Sequence, residues 1–262
     1  MRFKKSLRII IASFFIIFIS FFIVNFIKQQ KEIKYDKVLK LTNVYPHNID
    51  SFTQGLFFHN DELYESVGEY GQSALYKNIN LLNGKFQKKY NLFSNDVFAE
   101  GSVVFDGKLY VLTFLEKKVF VLNPETLNLL KEVSYTRQGW GLTTDGEYLI
   151  SSDGTSNIYF MDKQLNDIKK ITVKNDNKEV FNLNELEYID GNIWANIWMT
   201  NKIVIIDKQN GNVIQTLNFD GLYNSKKKNI DDVMNGIAYN SKTKKVYITG
   251  KRWSKLYEFE FI

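Results

Sequence analysis

The sequence predicts an all-β fold, a five-bladed β-propeller, and three observations lead there. A pattern of short segments recurs five times between Phe52 and the C-terminus, with a period of about 40–50 residues and several strands per copy. The 262 residues are 44% hydrophobic and 15% aromatic, a composition suited to packed strands. With only two prolines in the chain, the turns fall to hairpin-forming pairs: Asn83-Gly84, Asp106-Gly107, Asp145-Gly146, Asp190-Gly191 and Asn210-Gly211.

The first element, residues 1–28, is a targeting segment. Met1–Arg8 is basic, and the 19 residues Ile9–Ile27 are apolar apart from Ser13, Ser20 and Asn25. That run exceeds the ~7–15 residues of a cleavable signal core and approaches the ~20 that span a bilayer, and no small-x-small cleavage site follows it. The expectation is an uncleaved signal-anchor, a transmembrane helix with its basic flank in the cytoplasm and the rest outside, periplasmic or extracellular. Cleavage would instead release a secreted protein. Residues 29–45 read as a charged tether, within which Lys34–Leu41 is expected to supply the outer strand of the last blade and tie the ring shut. Residues 46–262 form the propeller.

Within the propeller each copy opens on a short segment: Gln54-Gly55-Leu56, Glu100-Gly101-Ser102, Trp140-Gly141-Leu142, Glu185-Leu186-Glu187 and Asn235-Gly236-Ile237. A turn and a second strand follow, at Leu63-Tyr64, Leu109-Tyr110, Tyr148-Leu149, Ile193-Trp194 and Val246-Tyr247. A third comes at Leu75-Tyr76, Val119-Phe120, Ile158-Tyr159, Ile203-Val204 and Leu256-Tyr257. Innermost strands line a propeller's channel, and the loops at one end form its binding face. The openings place Gln54, Glu100, Trp140, Asn184, Glu185 and Asn235 there, and the ends of the second strands add Phe114, Trp198 and Lys251. Asp153-Gly154-Thr155 reads as a turn at a blade edge.

Composition excludes several functions. The net charge of +5 arises wholly from Arg2, Lys4, Lys5, Arg8 and Lys28, so the other 29 basic residues are balanced by 29 acidic ones. The propeller therefore carries no basic stripe for nucleic acid, and Lys226-Lys227-Lys228 reads as a solvated loop. Cysteine is absent, which removes disulfides, thiolate metal sites and a cysteine nucleophile. With His47 and His59 the only histidines and no His-Glu-x-x-His, a zinc hydrolase lacks its ligands, and no Gly-x-Ser-x-Gly elbow offers a serine nucleophile. A monomer is expected.

Six motifs in order at the right repeat phases carry a resemblance: Phe52-Thr53-Gln54-Gly55, Phe98-Ala99-Glu100-Gly101, Gly139-Trp140-Gly141-Leu142, Asn184-Glu185-Leu186-Glu187-Tyr188, Ala195-Asn196-Ile197-Trp198 and Thr249-Gly250-Lys251-Arg252-Trp253. From Pro46 to Ile262 the chain resembles the plant-type glutaminyl cyclases, the glutaminyl-peptide cyclotransferases of plants and bacteria, which are five-bladed propellers. The resemblance implies an aminoacyltransferase that turns the N-terminal glutamine of peptides or proteins into pyroglutamate and releases ammonia, without a catalytic metal. It assigns Glu100 as the general acid and base, and Lys251 and Asn184 to the negative charge on the carboxamide oxygen. Trp140 and Trp198 match pocket walls, with Phe52 and Gln54 at the rim. Phe114 stands where the family usually carries tryptophan, which keeps the wall and loses an indole N–H.

Two other readings compete. One is a non-catalytic propeller that binds a peptide or sugar. The other is a metal-dependent propeller lactonase or esterase, with Glu100, Asn184, Asn235 and Asp153 as ligands. A structural divalent cation in the channel is compatible with the carboxylates and amides there, with ligands the sequence does not place.

Overall fold

In several second and third strands, as at 109–112, 119–122 and 203–206, apolar residues follow one another without a break, the pattern of strands buried on both faces. The computed structural model describes residues 39–90, 94–224 and 229–262. Its strands form five four-stranded antiparallel sheets and one small hairpin, Lys174–Asn175 with Lys178–Glu179. Blade 1 is Thr53–His59, Glu62–Val67, Ala74–Ile79 and Phe86–Tyr90, and blade 2 is Ala99–Phe105, Lys108–Thr113, Lys118–Leu122 and Leu129–Ser134. Blade 3 runs Leu142–Thr144, Leu149–Ser152, Asn157–Met161 and Asp167–Thr172; blade 4 runs Leu183–Ile189, Asn192–Ile197, Lys202–Asp207 and Val213–Asn218. The first strands abut one another around the axis, and that of blade 5, Met234–Asn240, returns to blade 1. The expected targeting segment of residues 1–28, the expected tether as far as residue 38, and Lys226-Lys227-Lys228 lie outside the described residues.

The core is divided into layers between blades, and strand alternation feeds two layers at once. In Lys108–Thr113, Leu109 and Val111 join Phe57, Tyr64 and Leu75 of blade 1. Tyr110 and Leu112, on the other face, join Leu142, Leu149 and Met161 of blade 3. The fourth strands of blades 1 to 4 escape the sequence reading because they bury little; Leu129–Ser134 is exposed at five of its six residues. Without an inward face they lack alternation. The outer strand of blade 5, expected at Lys34–Leu41, is found at Leu39–Pro46.

Blade 5 completes its sheet with the start of the described chain. Behind Met234–Asn240, Lys245–Gly250 and Lys255–Phe261, the fourth strand is Leu39–Pro46, paired antiparallel from Leu39 opposite Phe261 to Pro46 opposite Lys255. Glu258 fastens this seam. Its carboxylate accepts hydrogen bonds from Thr42 Oγ1 (2.8 Å), Asn43 Nδ2 (2.7 Å), Tyr45 Oη (2.9 Å) and Tyr247 Oη (2.9 Å). Burial alone would raise its pKa, yet these donors outweigh burial and hold it below the usual carboxylate value. Glu258→Ala is expected to lower unfolding free energy by about 2–4 kcal/mol, because four donors lose a charged acceptor. A group with a depressed folded pKa stabilises above its unfolded pKa and stops doing so as pH falls through the folded value. Urea denaturation should therefore show the gap between wild type and Glu258→Ala narrowing toward acid pH.

A ring of glycines sets the width of the channel. A Cβ on Gly55 would lie 2.7 Å from Ser102 N, one on Gly101 2.5 Å from Leu142 N, and one on Gly141 2.1 Å from the Asn184 carbonyl oxygen. Each permits the next inner strand to come closer than any side chain would allow.

Candidate active site

Inner strands expose an unpaired edge to the channel, and this chain bends that edge at one repeated place. The pairing of first and second strands slips between Thr53 and Gly55, Ala99 and Ser102, Leu183 and Leu186, and Met234 and Ile237. A bulge re-aims the side chain it contains. The first residue inside each is Gln54, Glu100, Asn184 or Asn235, followed in the last three by Gly101, Glu185 and Gly236. Register thus makes Asn184-Glu185-Leu186 the fourth opening, one residue earlier than the sequence echo placed it. Trp140 precedes the short strand of blade 3 rather than lying in it.

A second repeated bond presents the residue after the second strand in four of the five blades. The N–H of Phe114 donates to Phe98 O (3.0 Å), that of Trp198 to Asn182 O (2.8 Å), and that of Lys251 to Val233 O (2.9 Å). Blade 1 has Gly68 at this position, donating to Phe52 O (2.9 Å). Its missing side chain leaves the space that the Phe98 ring occupies, which a Cβ would meet at 2.3 Å.

Together these devices line one cavity of about 200 Å³. Its walls hold Glu100, Lys251, Asn184, Phe52, Gln54, Phe114, Trp140 and Trp198, while Glu185 and Asn235, which the openings also pointed to, do not line it. The sequence reading missed two others, Phe98 and Asp231. Phe98 stood inside a quoted motif. Asp231 lies in the lead-in to blade 5, five residues before Gly236 as Asp50 and Asp96 stand before Gly55 and Gly101, a recurrence that lies ahead of the openings compared.

Five aromatic rings form a continuous wall: Phe52 to Phe98 (centroids 6.0 Å), Phe98 to Phe114 (5.8 Å), Phe114 to Trp140 (6.5 Å) and Trp140 to Trp198 (5.7 Å). The Trp140 indole lies against Gly154, so the Asp153-Gly154-Thr155 turn is a bed for that ring.

The polar groups share the cavity with these rings. Glu100 is buried, and its Oε1 accepts from Gln54 Nε2 at 3.1 Å; Gln54 Oε1 in turn accepts from Asn235 Nδ2 at 3.1 Å. Burial pushes the Glu100 carboxyl well above the usual carboxylate range; Lys251 opposes that rise and the Glu116 charge adds to it. Lys251 is also buried, and burial lowers its pKa against the pull of Glu100 and Asp231. Its Nζ lies 4.6 Å from the Phe52 ring centroid, a cation–π contact. Asn184 is buried with Oδ1 lacking a hydrogen-bond partner among the described residues.

Glu185 and Glu187 face the channel but staple it. Glu185 accepts from Leu56 N (3.2 Å) and Ile237 N (2.8 Å), and Glu187 from Tyr239 N (2.8 Å) and Thr143 Oγ1 (3.3 Å). Burial raises both, Glu187 to about 8. The lactonase ligand set is not assembled. Asp153 is bound to Thr155 and Tyr159 at its turn and does not line the cavity, although Asn235 Oδ1, the atom a metal would use, is buried with no partner among the described residues. No group of three or more His, Asp or Glu suited to a metal occurs among the described residues.

Comparison with known proteins points one way. The family model described as glutamine cyclotransferase matches residues 18–261. A glutaminyl-peptide cyclotransferase of Arabidopsis thaliana is 37% identical over 223 residues, covering 82% of this chain and 69% of that protein. The crystal structure of Myxococcus xanthus glutaminyl cyclase is similar with a TM-score of 0.79 at 28% identity, over 86% of this chain and 97% of that one.

Proposed function

This chain belongs to the glutamine cyclotransferase family, and on that premise we propose that its aromatic-walled cavity cyclises the N-terminal glutamine of peptides and proteins. The observation that carries the reading is the convergence of a buried carboxyl, a buried ammonium and a buried side-chain amide in one cavity walled by aromatic rings. In the reaction the α-nitrogen attacks the γ-carboxamide carbon, a lactam C–N bond forms, and the bond to the amide nitrogen breaks. One proton leaves the attacking nitrogen and one joins the departing nitrogen, so ammonia is released with no net proton change.

Glu100 is placed to make both transfers. Gln54 fixes Oε1, leaving Oε2 for the substrate, and a pKa above the carboxylate range suits a group that must both accept and donate. Lys251 and the Asn184 amide stabilise the charge on the former carboxamide oxygen. The unpartnered Asn184 Oδ1 gains a substrate N–H, which explains a buried acceptor left open. The rings hold the glutamine folded back on its own amine, the arrangement that most favours closure of a five-membered ring. No step calls for a metal.

The reading is tested by incubating the protein with a Gln-initiated peptide and measuring ammonia and the mass of the product. Ammonia release that persists in chelator is the expected outcome. A folded protein that leaves the peptide intact would sink the reading, and activity abolished by chelator would favour a metal-dependent propeller instead. Anchoring outside the cytoplasm is part of the proposal, supported by the basic flank and the 19-residue apolar run Ile9–Ile27. A monomer is proposed with it.

A further inference from the structure

The mouth of the cavity has a charge imbalance that the chemistry of the ring closure does not use. Among the described residues three carboxylates lie within electrostatic reach of Glu100 or Lys251, namely Glu116, Asp231 and Glu69, against one further cation, Arg252. Arg252 is itself committed. It is clamped between Glu69 and Asp232, with its guanidinium 4.6 Å over the Phe52 ring. Glu116 is held by the Tyr70 hydroxyl through part of its carboxylate, and its Oε2 is buried without a partner. Asp231 differs from all of these. It lines the cavity, is half-exposed, and its carboxylate has no hydrogen-bond or ion-pair partner among the described residues.

A cavity of about 200 Å³ has room for the glutamine and little else, so the second residue of the peptide must sit at the rim. The rim is aromatic from Phe52 round to Trp198 and carboxylate at Asp231. We propose that Asp231 is a specificity-determining residue that selects peptides whose second residue is cationic, lysine or arginine, and disfavours an acidic one. This rests on the cyclotransferase reading. The contact is made equally before and during ring closure, so it acts through KM and not through kcat.

The test uses three peptides that differ only at the second residue, Gln-Lys, Gln-Ala and Gln-Glu, with ammonia release followed at low ionic strength. The wild type is expected to favour Gln-Lys over Gln-Glu roughly tenfold in kcat/KM, carried by KM and shrinking as salt is raised. Asp231→Asn should cut that ratio to about threefold or less, and Asp231→Lys should invert it. Each ratio is taken within one preparation, so partial misfolding of a variant does not alter it. The proposal is overturned if the ratio is unchanged in both variants. It is equally overturned if Asp231→Asn slows all three peptides by one factor and shifts the pH profile, since Asp231 would then act only by keeping Lys251 charged. Absence of ammonia from all three peptides with wild type would overturn the cyclotransferase reading itself, an outcome distinct from the other two.

Discussion

Glu100→Gln is expected to lower kcat on a Gln-initiated peptide by roughly 10²–10⁴-fold, the range for loss of a positioned proton-transfer group, with KM little changed. The variant should fold. Glutamine is isosteric, and its side-chain oxygen can still accept the hydrogen bond that Gln54 Nε2 gives to Oε1 at 3.1 Å. Burial penalises the charged form of Glu100 and raises its pKa above 4.5, so removing that charge relieves a cost. Linkage fixes the sign of the pH effect. A carboxyl whose folded pKa is raised stabilises fully below its unfolded pKa, and the contribution fades as pH rises through the folded value. Thermal unfolding should thus show wild type losing stability relative to Glu100→Gln as pH rises above 4.5. Wild-type kcat/KM should have its acidic limb above the ordinary carboxylate range. A Glu100→Gln enzyme with wild-type kcat would remove Glu100 from the mechanism.

The second large effect comes from one methyl group at Gly141. An added Cβ would lie 2.1 Å from the Asn184 carbonyl oxygen, 2.9 Å from its carbon and 2.8 Å from Leu186 Cγ. Two of these are backbone atoms, and that carbonyl is also fixed by the Ser152 hydroxyl at 2.7 Å. Neither inner strand can give way without parting blades 3 and 4 and carrying Asn184 and Trp140 out of the pocket wall. Gly141→Ala should cost more than about 3 kcal/mol, and any folded fraction should lose activity. Gly107→Ala is the control. There nothing lies within 4 Å of the added Cβ, but φ is +69° in the Asp106-Gly107 turn. Only left-handed strain is incurred, about 1–2 kcal/mol. Urea denaturation of the pair separates lack of space from lack of conformational freedom, and equal losses would refute the axial-ring account.

The ring of blades was legible because turn pairs such as Asp106-Gly107 and doubly buried strands such as Lys108–Thr113 leave marks in composition and order. The outer strand Leu129–Ser134 left none, since exposed positions are free to take any polar residue. The pocket was legible where copies could be compared, as at Gln54, Glu100 and Asn184. A one-residue slip at Glu185 went unseen because only the bulge, a backbone feature, fixes which residue occupies the glycine position. Asp231 repeats Asp50 and Asp96 at the same distance from the glycine, and it was passed over because it lies ahead of the strand openings that were compared.

The strand Leu39–Pro46 that finishes blade 5 has a kinetic consequence. Its partner on Lys255–Phe261 is more than two hundred residues away along the chain, as Thr42 and Glu258 illustrate at a separation of 216. A chain emerging from its amino end must carry that first strand unpaired until its last residues arrive. Pairings so distant in sequence slow the search for the native state. Until they form, blade 5 presents an open sheet edge, the surface on which strands of other chains most readily add. Yield of active protein should therefore be governed by how quickly the two ends meet, and by how well that edge is kept from other chains in the meantime.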